Sequence, residues 1–173
     1  GERLVALDKA PSDDEDQVTK DLRKPENAAI AAAWWMVFST TGKRMSRGQV
    51  IVALKARSAS KKYFLTRAPT GAGKTIAVFG TLFDWLAENQ GNAADMVTSE
   101  TGLAEKDAKE MQGYLNDMVG MLRRKGFEDT PEGRVTLDAL MTAFKCATKQ
   151  DVIDRLTKIR FAYIESSNQY RIW

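Results

Sequence analysis

Apolar residues recur most regularly between Leu103 and Lys125, where Ala104, Ala108, Met111, Leu115, Met118 and Leu122 follow one another at steps of three and four. That spacing predicts an amphipathic helix with one buried stripe. A second pattern, "ENAAIAAAWWMVF" from Glu26 to Phe38, is apolar on nearly every side and predicts a helix buried over most of its surface. Trp34 and Trp35 point about 100° apart on such a helix, which predicts two core residues facing different neighbours. Ser46 is placed to cap a helix running from Arg47 to about Ser58, with Val50, Ile51 and Leu54 as its apolar stripe. "KTIAVFGTLFDWLAEN" predicts another helix, with Ile76, Phe79, Leu82, Phe83 and Leu86 inward and Gly91 as its C-terminal cap.

Shorter patterns fill the remainder. Ser12 and Glu15 have capping-box spacing and predict a polar helix from Asp13 to Lys24, broken by Pro25. "YFLTR" and "KIRFAYIES" predict short buried strands, and "ADMVTS" a thin third one. "GFEDTPEGR" reads as a turn, "VTLDALMTAF" as a helix or a strand leading into one, and "DVIDRL" as a helix. The segment Gly1 to Pro11 reads as an irregular arm, and the terminal "NQYRIW" as an exposed or docking tail.

Composition adds limits. With 173 residues, 43% hydrophobic and 28% charged, the chain has material for one core of ordinary balance. Cys146 is the only cysteine and there is no histidine, which excludes an internal disulfide and leaves any serine or cysteine nucleophile without an imidazole base. No stretch reads as a signal peptide or a membrane span, so a cytoplasmic or otherwise intracellular protein, a virion component included, is expected. The net charge is only +3, yet Lys43, Arg44, Arg47, Lys55, Arg57, Lys61, Lys62, Arg67 and Lys74 fall in one segment without an acidic residue. Such a segment suits a polyanion, although a solvated helix face would look similar.

Candidate chemistry centres on "FLTRAPTGAGKTI". The phosphate-binding loop pattern calls for Gly-x-x-x-x-Gly-Lys-Ser/Thr, and Ala68 stands where its first glycine would be. Thr70, Gly71, Ala72 and Gly73 would turn backbone amides toward phosphate oxygens. Lys74 would reach the terminal phosphates, Thr75 would ligate magnesium, and the next helix would aim its N-terminus at the same anions. The bland alternative is a glycine-rich turn ahead of a helix.

"APTGAGKT" resembles motif I of superfamily-two helicases and translocases, in which alanine often replaces the first glycine. "SRGQ" is similar to the family's upstream adenine-reading segment, which would give Gln49 that role. "VTSETGLAEKDAKEM" loosely resembles the strand-following segment that touches nucleic acid. The resemblance implies an α/β fold, a partial RecA-like domain over residues 46–173 preceded by an arm and helical extension over 1–45, with ATP and Mg as cofactors. It also implies that Glu165, in "IESSN", holds the metal as the acidic motif does. Departures accompany the match. Ser166 stands where the water-polarising glutamate would be, and no second lobe follows to supply an arginine finger, so weak or no hydrolysis is expected.

A second reading of the same residues gives a mainly helical nucleocapsid or coat-type protein. It would bind RNA or DNA backbone through segment 43–74 and form homo-oligomers through its terminal arms. Here the glycine-rich loop grips phosphates of a polymer without ATP. A third reading is a helical interaction module whose Leu103–Leu122 stripe pairs with a partner helix.

Overall fold

A computed structural model describes residues 7–59, 73–98, 101–164 and 170–172. The described chain is mainly helical: α1 (Gln17–Leu22), α2 (Ala28–Thr41), α3 (Arg47–Ser58), α4 (Lys74–Glu88), α5 (Thr101–Arg123), α6 (Pro131–Phe144) and α7 (Lys149–Lys158), followed by β1 (Ala162–Ile164) and β2 (Tyr170–Ile172). The α/β, RecA-like expectation is thereby corrected. Such a domain needs a central parallel sheet to carry its loops at the strand ends. The only sheet among the described residues is an antiparallel pair, β1 with β2, in the register Ala162 to Ile172 and Ile164 to Tyr170.

Helix α2 sits at the centre. Every residue from Ala28 to Val37 is buried, as expected for a helix apolar all round. One side (Ala29, Ala32, Ala33, Met36) joins the larger core with Phe79 and Phe83 of α4, Met118 and Leu122 of α5, Leu140 and Phe144 of α6 and Leu156 of α7. The other side (Ile30, Ala31, Trp34, Trp35) meets Leu7, Val18 and Leu22, together with Met45, Val50 and Ala53. The smaller cluster thus joins residues from either side of position 45. Trp34 and Trp35 do share neighbours. Their rings meet edge-on at 4.9 Å, and each contacts Phe38, because rings this large bridge the angle between adjacent positions.

Local signals account for most helix ends. Ser46 and Gln49 form a reciprocal capping box that starts α3 at Arg47. Helix α1 is shorter than the expected 13–24 span, because Asp16 rather than Ser12 caps it by accepting from the Thr19 amide at 3.0 Å. Helix α4 ends at Glu88 with Asn89 as C-cap, and Gly91 takes its left-handed conformation (φ 86°) beyond that cap. The turn read at "GFEDTPEGR" is a 3-10 turn from Phe127 to Asp129, after which Thr130 caps α6 and Pro131 opens it, without a preceding strand. Gly133 is required there: an added Cβ would lie 1.8 Å from the Phe127 carbonyl oxygen. Residues 94–98 of the "ADMVTS" segment, read as a thin strand, carry no regular structure, and Ser99 lies outside the described residues.

Helices α3 and α4 run side by side in the same direction. The Gln49 side-chain amide donates to the Gly73 carbonyl at 3.1 Å at their N-terminal ends. Gly80 lets Ala53 and Met45 close in at the middle, and Arg57 reaches Asp84 and Glu88 near the far end. The "YFLTR" strand and most of the glycine-rich loop lie outside the described residues. Both described arm segments fold back on their own chain. Leu7 enters the smaller core, Asp8 pairs with Arg44, and the Lys9 carbonyl accepts from Arg23 at 2.6 Å, while Tyr170–Ile172 of the terminal segment pair with β1.

Candidate nucleic-acid interface

Parallel packing of α3 and α4 brings two helix N-termini together, and with them the positive dipole ends of both helices. Gly73 makes this approach: its left-handed backbone (φ 69°, ψ 50°) turns the chain into α4, and a Cβ there would sit 2.2 Å from Gln49 Nε2. Helix α4 has no side-chain cap. Three cations from the predicted basic segment, Lys43, Arg47 and Lys74, are exposed at or next to these N-terminal turns.

The nucleotide-site residues divide differently. Gln49, read as the adenine contact, accepts from the Ser46 amide at 2.8 Å through its carbonyl oxygen and donates to Gly73 through its nitrogen. Both ends of the amide are engaged by main chain. Thr75, read as a magnesium ligand, donates its hydroxyl to Asp107 Oδ1 at 2.8 Å. Thr70, Gly71 and Ala72 lie outside the described residues, as does Glu165. Among the described residues no group of three or more acidic, cysteine or histidine side chains is placed to hold a metal ion.

The predicted nucleic-acid contacts also separate. Lys55 is exposed on α3. Arg44 is committed to Asp8 and lies over the Phe38 ring at 5.4 Å; the Arg44 guanidinium in turn holds the Asp8 carboxyl below the usual carboxylate range. Arg57 is half-buried, donating to Asp84 at 2.7 Å and Glu88 at 2.9 Å. Burial raises the Asp84 carboxyl above its ordinary pKa, and the Arg57 charge offsets only part of that rise. Arg57 is thus a structural cation joining α3 to α4. Lys61, Lys62 and Arg67 lie outside the described residues.

A feature not singled out in the sequence lies elsewhere, between α4, the 92–98 segment, α5, the end of α7 and β1. It is an open cleft of about 1020 Å³ with Leu82, Leu86 and Met111 among its apolar lining, and Arg155, Lys158 and Arg160 in its wall. These cations were overlooked because they alternate with Leu156, Ile159 and Phe161, which read as core of a helix and strand. Their spacing ahead of a strand was the available signal.

No helix among the described residues is long and apolar enough to cross a membrane. No family model, curated protein or solved structure matches the chain.

Proposed function

We propose that this chain is a mainly helical nucleic-acid-binding protein of nucleocapsid or coat type, which holds RNA or DNA backbone at the paired N-termini of α3 and α4. One observation carries the reading: two parallel helix N-termini, tied by Gln49 and Gly73, are flanked by exposed Lys43, Arg47 and Lys74. Amides and ammonium groups so placed match phosphate oxygens and carry no base preference. Asp107 brings one carboxylate to the N-terminal turn of α4, where it accepts from the Thr75 hydroxyl. The helical fold supports this reading over a helicase-like one, because the described residues contain no central sheet. Assembly of several copies along one polymer would follow the usual logic of such proteins.

Lys74→Ala tests it. Fluorescence anisotropy with a labelled homopolymer oligonucleotide should show binding weakened severalfold. The slope of log affinity against log salt should flatten by about 0.7, the share of one phosphate on a single strand. ATP with magnesium should leave the thermal midpoint unchanged, whereas a true nucleotide site filled at a hundred times its Kd would add about 2.7 kcal/mol. A variant that loses an ATP-dependent stabilisation while keeping its oligonucleotide affinity would overturn the proposal.

A further inference from the structure

We infer that the cleft between α4, α7 and β1 is a second nucleic-acid contact that admits the unpaired bases of a single strand. The inference rests on the nucleic-acid reading above but concerns a separate surface. Arg155 and Lys158 lie at the end of α7, and Arg160 follows in the connection to β1. Helical rise and extended chain together spread them over about 11 Å. A line of cations fits a repeating phosphate chain better than a ligand with one charged head.

Apolar groups complete the site. Val97 and Ile164 are 93% and 65% exposed, the two most exposed large hydrophobic residues among those described, and both line this cleft. The lining beneath them includes Leu82, Leu86, Met96 and Met111. Exposed aliphatic side chains beside a cationic wall suit a ligand that is apolar and flat on one side and anionic on the other. A nucleotide strand with splayed bases has that character, while a duplex keeps its bases stacked inside and offers only phosphates. Two carboxylates, Asp95 and Asp107, also line the cleft, but they belong to the 92–98 segment and α5, and Asp107 accepts from Thr75. Between Arg155 and Ile164 the residues lining the cleft include three cations and no carboxylate.

Two variants test the inference by anisotropy with a labelled single strand and a duplex of equal length. The wild-type chain should prefer the single strand by about tenfold or more. Arg155→Gln with Lys158→Gln and Arg160→Gln should weaken single-strand binding by at least tenfold and flatten the salt slope by about 2. Val97→Ser with Ile164→Ser should weaken single-strand binding with the slope unchanged and leave duplex binding as it was. All five side chains are at the surface or half-exposed, and helical circular dichroism checks that each variant folds. If both variants bind the single strand like wild type while Lys74→Ala binds poorly, the cleft inference fails and the α3–α4 reading stands. If light scattering shows that the variants change only the oligomeric state, the cleft receives a second copy of the chain and the inference is again overturned. If the wild-type chain binds neither strand type, both readings fall together.

Discussion

Replacing Arg57 with alanine should destabilise the fold by about 3 kcal/mol, with the deficit largest at neutral pH. Asp84 is only 7% exposed, and Arg57 is the cation that reaches it from α3. Removing one member of such a pair leaves an uncompensated buried charge, which costs far more than the intact pair contributes. The Arg57 side chain keeps 23% exposure, so water can partly replace it and the lower end of the usual range applies. Burial already holds the Asp84 pKa above its ordinary 3.8, and loss of the guanidinium raises it further. A carboxyl with a raised folded-state pKa takes up its proton more readily when folded than when unfolded. Its contribution is therefore most favourable below the unfolded pKa and is lost as pH rises through the folded value. Urea unfolding of the variant should accordingly show a deficit that shrinks from about pH 7 toward about pH 4.5. Arg57→Met combined with Asp84→Leu should recover most of the stability, because it removes both charges and keeps the volume. A single variant as stable as wild type at pH 7 would show that the pair is not desolvated.

Phe79→Ala should cost about 4 kcal/mol, the largest single-site effect expected in the chain. Phe79 is fully buried and its ring lies 5.0 Å from Tyr114, 5.9 Å from Phe83 and 6.3 Å from Phe161. It thus joins α4 to α5 and to the entrance of β1, and its loss opens a cavity shared by three elements. Such a cavity cannot collapse without moving all of them. Thermal unfolding should report the loss. Exposed Trp85, six positions along the same helix, serves as the contrast, since Trp85→Ala should change stability by less than about 1 kcal/mol.

These two residues also show what was legible beforehand. Phe79 declared itself through the 3.6-residue period of α4, and the stripe from Ala104 to Leu122 did the same for α5, which packs within its own chain. Ser46 and Gln49 fixed the start of α3 because a capping box is a local device. Arg57 was misread as a phosphate contact because its acidic partners lie about thirty residues later, and a charge run does not reveal what the fold brings beside it. Arg44 was hidden in the same way by Asp8.

The fold expected from the glycine-rich loop failed for a related reason. A glycine in left-handed conformation, a lysine and a threonine at a helix start describe a turn into any helix, and Gly73 serves that purpose for α4. What distinguishes a nucleotide site is the sheet behind the loop, a long-range feature that eight residues cannot encode. Likewise the side-by-side run of α3 and α4, which brings their N-terminal turns together, is a tertiary meeting of Gly80 with Ala53 and of Arg57 with Asp84. No pattern within either helix announces that meeting.

The most direct measurement is a salt titration of binding between the intact chain and a labelled single-stranded oligonucleotide, with no nucleotide triphosphate present. Three phosphates neutralised at Lys43, Arg47 and Lys74 predict a straight line of log affinity against log salt with a slope of about −2 or steeper. No binding at low salt, or an affinity indifferent to salt, would contradict the account.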